Sequence, residues 1–204
     1  MHEHIKSMRK TSTREKLLAE GSRVIRERGY TGASVRDIIT AAGVPQGSFT
    51  YHFSSKEAFC LDVLEMYIAH IRRTAEDTLL NSSLSPLARL EAYLDGRVGS
   101  VSEFGADKGC MLGNFSVETS GRSECIRRRL VETFNELQSY VAQCLRDAVR
   151  SGDLPENSVC DELAVMIVDL MQGAMLRSRI DRDGAHLQWV KSALMRVVIG
   201  STWR

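Results

Sequence analysis

Apolar residues recur every three to four positions along most of the chain, and no convincing stretch alternates with the period of two that a half-buried strand shows. The pattern predicts an all-α fold of about nine helices. A first helix spans 12–28: the capping box Ser12-x-x-Glu15 opens it, Leu17, Leu18, Val24 and Ile25 form its face, and Gly29 stops it. A second spans 34–42, with Val35, Ile38 and Ile39 inward and Gly43 just past its end. A short third covers 45–53, with Pro45 at the tolerated first position. Ser54-x-x-Glu57 reads as a second capping box, opening a fourth helix to about 80 that is apolar on more than one side. Such a helix suits a connection between two packed units. Five further helices are predicted over 85–104, 110–119, 123–150, 158–180 and 184–199, joined by short connections that favour compact helical packing.

Length changes this picture little: 204 residues suffice for one or two globular units with a real core. Charge changes it more. Residues 1–60 hold 10 Lys and Arg against 6 Asp and Glu, and the remainder holds 17 against 20, so a basic head precedes a mildly acidic body. That asymmetry points the head toward an anion. The five cysteines (60, 110, 125, 144 and 160) form no C-x-x-C pair, and the segment MHEHIKSMRK has no apolar h-region, so they read as reduced thiols of a cytoplasmic protein. No apolar run reaches the length of about 18 residues that a membrane span needs, so no membrane partner is expected. His2 and His4 lack a nearby third ligand, and neither a metal site nor a cofactor is expected.

The richest segment is 34–52. Two short helices meet at Ala41-Ala42-Gly43-Val44, where small residues permit close approach and glycine permits a left-handed turn. This is the helix-turn-helix design, in which the second helix enters the major groove of double-stranded DNA. Around its inward anchors Phe49 and Phe53 the second helix carries Gln46, Ser48, Thr50, Tyr51 and His52. From spacing alone, a plain helical hairpin with a solvated polar face remains the alternative.

The stretch RGYTGASVRDIITAAGVPQGSFTYHFSSKEAF resembles the N-terminal domain of the TetR family of bacterial transcriptional regulators, over residues 12–60. The Gly29-Tyr30 stop, the Gly43-Val44 turn, Gly47-Ser48-Phe49, Tyr51-His52-Phe53 and Ser55-Lys56-Glu57 carry the likeness. The resemblance implies a three-helix DNA-binding domain, taken here as 1–55, on a larger helical effector-binding and dimerisation domain, 56–204. It implies a non-enzymatic regulator, a repressor, binding a palindromic operator as a homodimer.

By the same resemblance, Ser34 and Arg36 lie near the start of the first reading helix, and Arg36 suits guanine O6 and N7. Gln46 stands where many relatives carry Lys and is expected to read a base. Gly47 lets backbone approach DNA, and Ser48 can bond a base or a phosphate. Tyr51, His52 and Lys56 match phosphate-contacting positions, with a packed hinge as the alternative for Tyr51 and His52. Thr50 departs from the family, which often has Tyr there, so a different operator preference is expected. Arg9, Lys10 and Arg14 reach toward the minor groove or form a solvated charged tail.

In the body, 163–176 is apolar almost all round, as if buried against its own chain and another. Met171, Gly173 and Ala174, with Trp189, Val190, Leu194 and Val197 of the last helix, are the expected dimer seam; a central helix of a monomer is the alternative. Tyr67, Phe104, Met111 and Phe115 line an apolar effector pocket or form plain core. Cys110 is the sharper candidate. It stands in Lys108-Gly109-Cys110-Met111, where a loop becomes a helix, and a helix N-terminus and a nearby Lys both favour thiolate. GCMLGNFSVE also resembles an element of the family branch containing the electrophile-sensing repressor of N-ethylmaleimide reductase, which implies a small-molecule or electrophilic effector. A packing role remains open for Cys110, as core roles do for Cys60, Cys125, Cys144 and Cys160; Cys125 or Cys144 is the candidate to resolve an oxidised Cys110. Two rival functions stand beside the regulator: a thiol-based redox enzyme using Cys110, and an effector-independent helical DNA-binding or interaction protein.

Overall fold

The computed structural model describes residues 12–119 and 121–200, without the side chains of 102–104. Its helices are α1 (Thr13–Gly32), α2 (Val35–Ala42), α3 (Gly47–His52), α4 (Lys56–Leu79), α5 (Pro86–Phe104), α6 (Met111–Thr119), α7 (Glu124–Arg150), α8 (Cys160–Asp181) and α9 (Ala185–Gly200). No strand occurs among the described residues. The chain divides into two compact units after Val63, within α4.

Local chemistry sets the boundaries in the first unit. Ser12 and Glu15 form the predicted capping box, with Glu15 N–H donating to Ser12 Oγ at 3.2 Å and Ser12 N–H to Glu15 Oε2 at 2.7 Å. Gly29 interrupts α1 at φ 74°, and helical structure resumes to Gly32, so the predicted stop is a kink. Ser34 and Asp37 form a further capping box at α2, missed in the sequence because Asp replaces the usual Glu or Gln. Gly43 ends α2 in the left-handed region, at φ 61°. The cap predicted at Ser54 is displaced by one residue, to Ser55, whose hydroxyl accepts from Ala58 N–H at 3.0 Å as α4 begins at Lys56; Ala58 has no carboxylate to complete a box there.

Packing then fixes the short helices, which cannot persist alone at eight and six residues. Phe49, Phe53 and Phe59 cluster with ring centroids 5.0–5.4 Å apart. Ile38 and Phe59 press on α1 at Gly21, where a Cβ would stand 2.4 Å from Phe59 Cζ and 2.8 Å from Ile38 Cγ2.

In the second unit, α7 packs against α5, α6 and α8, and α9 against α8 and α5. Polar pairs link α4 to α7 in a constant register: Glu65 to Arg129, Arg72 to Glu136 at 2.5 Å and Glu76 to Tyr140 at 2.9 Å. Both residue numbers rise together, so the two helices run parallel. Lys191 of α9 reaches Asp95 of α5 at 2.6 Å, and Arg89 of α5 reaches Asp147 of α7 at 3.0 Å.

Gly21→Ala tests the close approach. In an open helix the change stabilises by up to about 1 kcal/mol. Here overpacking against Phe59 and Ile38 is expected to cost about 1–3 kcal/mol, lowering the melting temperature seen by circular dichroism. An unchanged or raised melting temperature would contradict the packing described.

Candidate nucleic-acid interface and sensing site

In the first unit, α2 and α3 meet at the Gly43 turn and leave an open hollow between them, lined by Arg36, Thr40, Gly43, Gln46 and Thr50. Phe49 and Phe53 point inward, so the other side of α3 faces solvent. Ser34, Arg36, Gln46, Gly47, Thr50 and Tyr51 are exposed, and Ser48, His52 and Lys56 half-buried. Tyr51 is 84% exposed, an uncommon position for so large an aromatic ring, and lies edge-on to His52 at 4.9 Å.

Several of these groups already have internal work. Ser34 Oγ accepts from Asp37 N–H at 3.1 Å and donates to its carboxylate at 2.6 Å, which holds that carboxyl below its ordinary value. Thr50 donates its hydroxyl to the Gly47 carbonyl at 3.1 Å. The Lys56 ammonium lies 4.8 Å over the Tyr30 ring. Arg14 pairs with Asp62 at 2.5 Å and stacks on Phe53, so it is not a solvated tail. Arg9, Lys10, His2 and His4 lie outside the described residues.

In the second unit, Cys110 is 2% exposed and stands immediately before α6. The backbone N–H of Gly113 donates to its sulfur, as expected of a residue capping that helix. Tyr67 Oη is 3.5 Å away, Arg97 Nη2 donates from 3.6 Å, and the Gln172 amide donates as well. Burial alone pushes this thiol up. The guanidinium of Arg97, with the Tyr67, Gly113 and Gln172 donors, outweighs burial and holds it below the ordinary thiol value.

The cation beside Cys110 is therefore Arg97, one α5 residue the sequence reading missed, and not Lys108, whose ammonium pairs with Asp107 at 2.7 Å. The misreading has a simple origin: Arg97 is distant in sequence, and its neighbours on α5 give no sign that its side chain turns inward. Two glycines make room for the arrangement. At Gly109, with φ 64°, a Cβ would meet Arg179 Cδ at 2.5 Å, and at Gly113 one would meet Gln172 Nε2 at 2.3 Å.

The other cysteines differ. Cys60 and Cys144 are buried, and burial pushes them up to about 12 and about 11; Cys144 donates to the Pro86 carbonyl at 3.1 Å. Cys160 is buried at the start of α8, whereas Cys125 is exposed, not a core residue. Met111 and Phe115 are buried on α6 and Tyr67 is half-buried; the side chain of Phe104 lies outside the described residues.

The proposed seam divides in two. Met171, Ala174 and Leu194 are already buried within the chain. Gly173, Trp189 and Val197 are exposed, and Val190 half-buried. Leu170, Leu176 and Ile180 extend an uncovered apolar stripe along α8, and Ile199 extends it on α9.

Comparison with known proteins agrees with this geometry. Residues 17–63 match the family described as bacterial regulatory proteins, tetR family, and residues 86–194 match the tetracyclin repressor-like C-terminal domain. The chain is 35% identical to the HTH-type transcriptional repressor DhaR of Mycobacterium sp. (strain GP1), covering 96% of each. It superposes on a regulatory protein TetR from Rhodobacter sphaeroides with TM-score 0.83 at 28% identity, covering 90% of this chain and 97% of that one. It also superposes on the reduced form of E. coli NemR, with TM-score 0.79 at 29% identity, covering 89% and 94% respectively. With its helix-turn-helix head and all-helical body, this chain belongs to the TetR family of bacterial transcriptional regulators.

Proposed function

We propose that the protein is a cytoplasmic homodimeric repressor that binds a palindromic operator and is released by an effector acting on its body. The observation that carries this reading is the exposed edge of α2 and α3, where Arg36, Gln46, Gly47, Ser48, Thr50 and Tyr51 surround the Gly43 turn while Phe49 anchors the helix from behind. Arg36 and Gln46 have the donor geometry to read guanine and adenine edges. Ser48, Tyr51, His52 and Lys56 supply phosphate contacts, which position the head without reading sequence. Ser34 contributes mainly by capping α2, since Asp37 holds its hydroxyl. Residues 1–55 then serve DNA binding, and 56–204 effector binding and dimerisation.

One head reads few base pairs, and a two-fold partner doubles the readout. The apolar stripe of Leu170, Gly173, Leu176 and Ile180, with Trp189 and Val197, supports such a partner, because stripes this apolar are rarely left to water. Repression is the activity named for DhaR and for NemR. The depressed Cys110 thiol supports a covalent effector in particular: an electrophile alkylating the thiolate would add bulk against Arg97 and Tyr67, which lie 3.6 and 3.5 Å from the sulfur. The head and its exposed reading edge disfavour a thiol enzyme.

Three outcomes are expected. Gln46→Ala shifts preference at one base pair by about 1–3 kcal/mol, whereas Lys56→Ala weakens all sequences alike and flattens the salt slope by about one. Equal losses on operator and random DNA for Gln46→Ala would refute its reading role. By light scattering the protein has twice the chain mass at micromolar concentration, and Leu170→Glu with Val197→Glu reduces it to one; a monomeric wild type would sink the dimer. Iodoacetamide abolishes operator binding by wild type but not by Cys110→Ser; equal sensitivity of the two would remove Cys110 from the mechanism.

A further inference from the structure

The body holds a buried cation for which no carboxylate among the described residues supplies the counter-charge. Arg97 is 9% exposed, and its Nη2 donates to the sulfurs of Met175 at 3.1 Å and Cys110 at 3.6 Å. Other arginines of this unit, Arg72, Arg89, Arg129 and Arg146, pair with Glu or Asp. A thioether and a thiol are weak acceptors for a group with five donors. Buried charges are ordinarily paired with opposite charge, and among the described residues Arg97 has no carboxylate partner, its Nη2 resting on two sulfurs.

Beside it lies a cavity between α4 and α5, with Tyr67, His70, Thr74, Tyr93 and Ser100 in its walls together with Arg97. Its volume is about 30 Å³. One water needs about 10–15 Å³ on this scale, so the space suits a group of a few heavy atoms and not a drug-sized ligand. The walls carry phenol and alcohol hydroxyls next to a single positive charge. One guanidinium neutralises one negative charge and matches the two oxygens of a carboxylate in plane, a better balance than a dianionic phosphate would meet here.

We propose that Arg97 anchors a small monocarboxylate in this cavity, with Tyr67 and Tyr93 beside it. This rests on the reading of the body as the effector-receiving part, and it names the effector's chemical class. It also ties the site to Cys110. A bound carboxylate and the Cys110 thiolate compete for the same guanidinium, so occupancy by one disfavours the other, and the coupling is reciprocal.

The test is isothermal titration of the full-length protein without DNA, using acetate, propionate and butyrate at fixed ionic strength, with propionamide as the uncharged match to propionate. Carboxylates are expected to bind one per chain and the amide not at all. Propionate is expected to slow iodoacetamide alkylation of Cys110. Arg97→Met weakens propionate binding by about tenfold or more, the effect of losing a charge-assisted pair. Tyr67→Phe, which keeps the ring, weakens it several-fold and serves if Arg97→Met fails to fold. Indistinguishable heats for propionate and propionamide in wild type, or full affinity in folded Arg97→Met, would overturn the site. Propionate binding that leaves operator affinity unchanged would confirm the site and contradict the effector reading instead.

Discussion

The proposed DNA-reading edge depends on one packed cluster. α2 and α3 are too short to be stable helices in water, even with the Ser34–Asp37 capping box at α2. Phe49, Phe53 and Phe59 supply the missing free energy, and Gly21 lets Phe59 and Ile38 sit against α1 without a Cβ between them. Because the aromatic side of α3 is committed inward, Gln46, Thr50 and Tyr51 are left outward. The cluster thus determines which residues the proposed reading edge presents to solvent.

The body is organised around charge. Arg72 with Glu136, and buried Lys191 with Asp95, are conventional cross-helix ties. Arg97 is different, because it faces sulfur and hydroxyl groups instead of carboxylate. A buried cation so placed stabilises any anion that arrives beside it, whether the Cys110 thiolate or an incoming ligand. Arg179 packs over Gly109 and Gln172 over Gly113, at the start of α6. Under the proposed function, a change at the Cys110 sulfur would be felt first at the start of α6.

Much of this was legible in the sequence because local rules dominate it. Ser12-x-x-Glu15, Ser85-Pro86 and Gly43 mark helix ends through capping, a fixed φ and a left-handed turn, and each does so in the structure. Ser54 against Ser55 was not separable, since adjacent serines offer the same cap chemistry. The helix-turn-helix edge was readable because Phe49 and Phe53 define its inward side. The surroundings of Cys110 were not: Arg97, Gln172 and Met175 come from α5 and α8, and only tertiary packing brings them to α6. Lys108 looked like the partner because it is near in sequence, yet Asp107 is nearer to its ammonium. Likewise periodicity marked Met171, Ala174 and Leu194 as apolar without saying that their own chain covers them.

The central claim is that the head reads a specific sequence through two-fold symmetry. Selection of bound duplexes from a random pool, using the full-length reduced protein, tests it most directly. The account predicts an enriched palindrome whose half-sites are spaced by about one helical turn or a multiple of it. Enrichment of no sequence, or of a single asymmetric half-site bound by one chain, would contradict it.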